Sequence, residues 1–165
     1  MTVAGSAPTA APTAVAVEPQ EREPLLAEID RFAASLGSPG ARRRYARLRE
    51  AVAAEVPAEV PEDLLPALED LLEIALGSRS VHRFHGPGAE AALRGLHART
   101  PRGAAVEEAA RAANRALEAL RGQRIERLAF APGLPGSHRL SIETDRCRLT
   151  LEIGREGVSA RDVSL

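Results

Sequence analysis

The sequence predicts an α+β protein in which the helices come first and an antiparallel sheet comes last. Up to Gly122 the apolar residues recur at helical spacing, and from Arg124 onward they alternate with polar ones. Residues typical of turns divide the alternating part near 132–136, 144–146 and 154–157. We therefore expect an N-terminal part of four to five helices, followed by a three- to four-stranded meander with one buried face.

The meander is predicted in four short strands. Cys147 shares the inward side of the third strand with Leu149 and Leu151, so it is expected to be a small buried apolar residue rather than a nucleophile. Arg148 and Thr150 alternate with them on the opposite, polar side. The four strands are expected at about 124–131, 138–143, 148–153 and 158–163.

The helical part is predicted from apolar stripes and from the residues that start and stop helices. Pro24 suits a first helical position, and Gly37 suits the residue after a helix. Gly86 and its neighbours predict a loop before the fourth helix. The helices are expected at 24–36, 41–56, from near 63 to 77, 88–99 and from 101 to about 121.

Two segments are predicted along the chain. Residues 1–20 are rich in Ala, Pro and Thr and show no helical or strand period, so we expect a disordered tail. Residues 21–165 are expected to form a single α+β domain, with helices over 24–121 and the sheet over 124–163.

Composition favours a soluble cytoplasmic bacterial protein without a membrane partner. All 22 basic residues are arginine, which is typical of a GC-rich genome, and the net charge is −1. A single cysteine excludes an internal disulfide, and the N-terminus lacks the basic and apolar regions of a signal peptide. The most apolar stretch, near 64–76, contains three acidic residues and is too short to span a bilayer.

Charge is distributed unevenly along the chain. Two basic segments, Arg42–Arg49 and Arg79–Arg102, flank an acidic one that runs from Glu50 to Ser78 and contains eight acidic residues. The acidic surface either neutralises its basic neighbours or leaves one of them free for an anionic partner. The candidates for such contacts with a partner or an anion are Arg42, Arg43, Arg44, Arg79, Arg83 and His85.

Three histidines lie in the second basic segment. The spacing of His82 and His85 could present two imidazoles to one metal, with His97, Glu90 or Cys147 as a further ligand. No second paired motif accompanies them, so these are weak candidates, and we expect neither a metal nor another cofactor.

The sequence contains no recognisable combination of catalytic residues, and this favours a function without catalysis. We expect a small binding or adaptor protein that engages a protein partner through its segregated charged surfaces and a free sheet edge, and a homodimer stays open. The alternative is binding of nucleic acid or nucleotide phosphates by the two basic segments. A metal-dependent enzyme centred on His82, His85 and His97 is the third hypothesis.

Overall fold

The computed structural model describes residues 14–54, 58–154 and 157–164. The α+β class is confirmed, because within these residues five helices precede a four-stranded antiparallel sheet, and a two-stranded sheet is added. The chain divides into two compact units, Met1–Pro101 and Arg102–Leu165. The expectation of a single domain over 21–165 stays a prediction.

The first unit combines helices with a small antiparallel sheet. Strand β1 (Ala14–Val17) pairs with β2 (Ala58–Pro61), and this two-stranded sheet was not predicted. Its helices are α1 (Pro19–Ser35), α2 (Pro39–Ala53), α3 (Leu65–Gly77), which follows a 3-10 turn, and α4 (Ser80–Arg99).

The predicted disordered tail is wrong for its last residues. Residues 1–13 lie outside the described part of the chain, but Ala14–Val17 forms β1 and α1 begins at Pro19. A capping box starts the helix early, because Glu18 and Glu21 each accept a hydrogen bond from the other's backbone N–H. Pro24, expected at the first helical position, therefore lies inside α1.

Helix α4 begins before the position that the sequence predicts. The segment expected to be a loop is helical from Ser80, and it is interrupted only at Gly86, which has φ 82° and ψ 178°. That conformation is essentially restricted to glycine, so Gly86 ends the first short helical part and lets the chain restart. His82 and His85 consequently lie on a helical turn.

The core of the first unit is built mainly from leucines. The stripe on α3 is buried, including Leu68, Leu71 and Leu72, and Leu25 of α1 and Leu93 of α4 are completely buried in the same cluster. These apolar stripes at helical spacing fold together because each covers another's apolar surface.

The second unit contains all but the first residue of α5 (Pro101–Glu118) and the four-stranded sheet. The strands follow one another in a meander, in the order β3-β4-β5-β6, and each neighbouring pair is antiparallel. Their bounds agree with the sequence prediction: β3 (Ile125–Pro132), β4 (His138–Thr144), β5 (Arg148–Gly154) and β6 (Gly157–Ser164).

Helix α5 packs on one face of the sheet and so separates its two faces. Ala113, Leu117 and Leu120 of the helix lie in one cluster with Leu149 and Leu151 of β5. The other face of the sheet carries the polar residues.

Candidate functional site

Strand β3 is an edge strand whose apolar side chains are not covered. It pairs only with β4 among the described residues. In the register of the sheet, Leu128 lies opposite Ile142 and Phe130 lies opposite Leu140, on the face that α5 covers further along the sheet. Yet Leu128 is 60% exposed and Phe130 is 64% exposed.

Phe130 is held by a neighbour on β4. Its ring stacks on the imidazole of His138, with the ring centroids 5.2 Å apart and the planes inclined by 13°. Offset stacking of this kind fixes the orientation of an aromatic side chain. We call the uncovered residues Leu128 and Phe130, together with the free backbone of β3 beside them, the edge site.

The outer, polar face of the sheet forms an open groove of about 780 Å³ beside the edge site. Its floor is made of small side chains, Ala129, Ser141 and Thr150, which lie opposite one another on β3, β4 and β5. Charged residues stand at both ends of this floor. They are Arg127, Glu143 and Arg148 at one end and Arg139, Glu152 and Arg161 at the other.

Both carboxylates of the groove are already engaged. Arg148 Nη2 lies 2.7 Å from Glu143 Oε1, and Arg161 Nε lies 2.6 Å from Glu152 Oε2. The Ser137 hydroxyl donates a 3.0 Å hydrogen bond to Glu152. This hydrogen bond, followed by that from Arg161, lowers the pKa of Glu152, so its carboxylate is kept charged.

Two guanidinium groups of the groove have no carboxylate of their own. Within the described residues, neither Arg127 nor Arg139 has an ion-pair partner within 4.0 Å, although Arg139 is near enough to help lower the pKa of Glu152. The described residues that line the groove include four arginines and two glutamates, so among them positive charge is in excess.

The structure does not gather the arginines predicted to bind an anion into one site. Arg43 and Arg44 line a groove of about 490 Å³ on α2, together with Arg47 and Asp63. Arg42 turns away from it, because its Nε donates a 2.6 Å hydrogen bond to the Leu36 carbonyl at the end of α1.

The other predicted contacts lie at the start of α4. Arg79 has φ 57°, and its carbonyl accepts the backbone N–H of Arg83 at 3.0 Å, so both belong to the turn that opens α4. His85 faces inward, with Nε2 3.6 Å from Oε1 of the buried Glu28. Arg79, Arg83 and His85 do not line the groove on α2.

Neighbouring acidic residues form ion pairs with some arginines of the predicted basic surface. Arg47 Nη2 lies 2.7 Å from Asp63, and Arg49 Nε lies 2.7 Å from Asp30. The hydrogen bond that Arg49 donates to Asp30 also raises the pKa of Arg49. Among the described residues, Arg43 and Arg44 of α2 make no ion pair within 4.0 Å.

The three histidines suggested as metal ligands each face a different glutamate. His82 Nδ1 is 2.7 Å from Glu90, and His97 Nε2 is 4.0 Å from Glu73, while His85 faces Glu28. Among the described residues, no cluster of three or more His, Cys, Asp or Glu side chains is placed to hold a metal ion.

Cys147 is buried in the second unit, as predicted. Its Sγ lies 3.4 Å from Oε1 of Gln123 and 3.5 Å from the hydroxyl of Thr144. The Thr144 hydroxyl also accepts the Cys147 backbone N–H at 3.0 Å. These contacts order the turn between β4 and β5.

The fold and this geometry define a chain of two compact units, one of which presents an open-edged sheet with a basic outer groove. No protein-family model matches the chain, and neither a curated protein nor a solved structure matches it. In the described part of the chain, no helix combines the length and the apolar character needed to cross a bilayer.

Proposed function

We propose that this protein is a non-catalytic binding protein that takes up an extended segment of a partner protein along the free edge of β3. The observation that carries the proposal is the exposure of Leu128 and Phe130, 60% and 64%, beside an unpaired strand edge. An edge strand presents backbone N–H and C=O groups that a further strand can pair with.

Apolar contact would add to the affinity that the backbone hydrogen bonds of an added strand supply. Covering an exposed leucine or phenylalanine side chain completely contributes about 1.5–3 kcal/mol. The stack of Phe130 on His138 supports the proposal because it holds the aromatic ring in place before binding, which lowers the entropy lost on association.

In β3, the residues that hinder pairing with a further strand lie only at its two ends, which also supports the proposal. Edge strands are usually guarded against further pairing by charged residues and proline. In β3, Glu126 and Arg127 stand near the start and Pro132 stands at the end, whereas 128–131 is entirely apolar. The middle of this edge is therefore accessible to one additional strand.

The proposal is tested by capture of a partner from the native host and by mapping of the contact. Wild-type protein should capture a specific partner, and binding should slow hydrogen exchange in the backbone amides of β3. Leu128→Asp and Phe130→Asp should each weaken capture at least tenfold. Protection confined to residues outside β3 and β4 would overturn the proposal.

A matched control tests whether the loss of capture is specific to the edge site or follows from placing a charge at any exposed apolar residue. Ile74 on α3 is 50% exposed and belongs to the other unit. Ile74→Asp introduces the same charge at a similar exposure, so it should leave capture unchanged. Equal losses from Ile74→Asp and Phe130→Asp would mean that β3 is not the docking site.

The second candidate function is binding of a phosphate-bearing polymer through α2. Its support is the groove that contains Arg43, Arg44 and Arg47. Such binding should fall steeply as salt is raised, because neutralising phosphates releases counterions. Arg43→Glu with Arg44→Glu should abolish a mobility shift with single-stranded RNA, and a flat titration of the wild type at low salt would exclude this function.

A further inference from the structure

We infer that the partner segment alternates apolar with acidic residues, so that it places carboxylates beside Arg127 and Arg139 while its apolar side chains cover Leu128 and Phe130. This inference rests on the proposed strand addition at β3. Side chains of an added strand alternate between the two faces of the sheet that it extends. One side of the segment must therefore continue the apolar face, and the other must continue the polar face.

Among the described residues of the outer face next to the edge, Arg127 and Arg139 make no ion pair within 4.0 Å. Glu143 lies opposite Arg127 in the register, but it makes its ion pair with Arg148 at 2.7 Å. Glu152 is likewise engaged by Arg161 at 2.6 Å. A carboxylate supplied from outside is the group that would pair with the remaining guanidinium groups in a planar, two-point geometry.

The small residues of the outer face leave room for such contacts. Arg127 is on the edge strand itself, and Arg139 is on β4 opposite Ala131. Neighbouring strands are about 4.8 Å apart, so a glutamate on the added strand can meet either long arginine side chain above Ala129 or Ala131. The groove of about 780 Å³ beside the edge is open enough to admit it.

A second copy of β3 would match the apolar face of this edge but not its charged outer face. In an antiparallel pairing of two β3 strands that sets Leu128 opposite Phe130, the apolar faces match. On the outer face, however, Arg127 would then lie opposite Ala131, and the described lining of the two grooves would bring together eight arginines and four glutamates, since each holds four and two. Because this adds repulsion among the described side chains, charge complementarity favours an acidic partner.

The test uses the full chain and three labelled nine-residue peptides. Each has the same valine and leucine residues at alternate positions, with glutamate, glutamine or lysine between them. Binding is measured by fluorescence anisotropy at concentrations where light scattering shows the peptides alone to be monomeric. The glutamate peptide should bind about three- to tenfold more tightly than the glutamine peptide, as expected for one or two exposed ion pairs, and the lysine peptide should bind least.

Variants of the groove test whether Arg127 and Arg139 cause the preference for the glutamate peptide. In the variant with Arg127→Gln and Arg139→Gln, the preference for glutamate over glutamine should disappear while the glutamine peptide binds as before. The matched control changes two exposed arginines of the same unit, Arg121→Gln and Arg146→Gln, and should keep the full preference. Raising salt should reduce the preference in the wild type and leave the double groove variant unchanged.

Three outcomes would overturn the inference, and they differ in what they say about the proposed function. Equal affinity for the three peptides would remove the acidic requirement and leave strand addition standing. Binding of none of them would count against strand addition as well. A dimer of the wild type in sedimentation that becomes a monomer with Phe130→Asp would show that a second copy occupies the edge.

Discussion

Arg99 and Glu21 form an ion pair that joins the last turn of α4 to the first turn of α1, with Nη2 2.7 Å from Oε2. The Glu21 side chain is only 3% exposed. The same guanidinium donates a 3.2 Å hydrogen bond to the Ala16 carbonyl of β1. A single arginine therefore ties a strand and two helices together in the first unit.

Removing this arginine should destabilise the first unit. Arg99→Met keeps the length of the side chain but leaves the Glu21 carboxylate buried without its cation, which costs about 3 kcal/mol. Urea denaturation followed by circular dichroism should show this loss. Arg94→Met is the control, because Arg94 is mostly exposed where it pairs with Glu90 and the loss of such a pair costs at most about 1 kcal/mol. Equal losses from the two variants would contradict the buried role of Arg99.

The sheet could be predicted from the sequence because its signals are local. Alternation between faces and the turn residues around Gly133 and Gly154 set the four strands to within a few residues of their observed bounds. The small sheet of β1 and β2 could not be predicted in this way. Val15 and Val60 pair across 45 residues of sequence, and each strand has only four residues, too few to establish a period.

The candidate site was only partly visible in the sequence. The free sheet edge was anticipated, but Leu128 and Phe130 have the same alternation as the buried Leu149 and Leu151. Which pair is covered depends on where α5 lies across the sheet, and this is a tertiary property. Arg127 and Arg139 were missed for a related reason, because cross-strand register decides which glutamate each arginine faces.

Gly86 should be intolerant of a side chain, although there is space for one. No atom lies within 4 Å of a Cβ built there, so the penalty for Gly86→Ala comes only from its backbone at φ +82°. A residue other than glycine in this region costs about 1–3 kcal/mol. Thermal unfolding of the variant should show a corresponding fall in Tm.

Gly88 provides the control for that substitution. It lies two residues further along α4, a Cβ there also meets nothing within 4 Å, and its φ is not positive. Gly88→Ala should be neutral or should stabilise by up to about 1 kcal/mol, because alanine restricts the unfolded chain and favours helix. A loss of stability as large as that of Gly86→Ala would be inconsistent with the backbone explanation.

Two leucines on the same face of the sheet should lose very different amounts of stability on truncation. Leu149 is completely buried under α5, so Leu149→Ala should cost about 2–5 kcal/mol through lost burial and the cavity that remains. Leu128→Ala, at a largely exposed position, should cost less than about 0.5 kcal/mol. Chemical denaturation of both variants measures the difference, and a large loss for Leu128→Ala would mean that β3 is not free.

The ionisation of Glu152 should depend in part on a neighbouring hydroxyl group. The hydrogen bond from Ser137, followed by the hydrogen bond and the charge of Arg161, lowers the pKa of Glu152 in the folded protein. A group whose folded pKa is depressed stabilises the fold above its unfolded pKa, and this contribution is lost as pH falls through the folded pKa. The contribution of Glu152 to stability should therefore be complete near neutral pH and decline only below the ordinary glutamate range.

In Ser137→Ala, an NMR titration of the Glu152 carboxyl should show the pKa moving back up toward its ordinary value. Ser159→Ala is the control, because Ser159 lies opposite Glu152 on β6 and, among the described residues, makes no hydrogen bond to it. An unchanged pKa in Ser137→Ala would assign the shift to Arg161 instead.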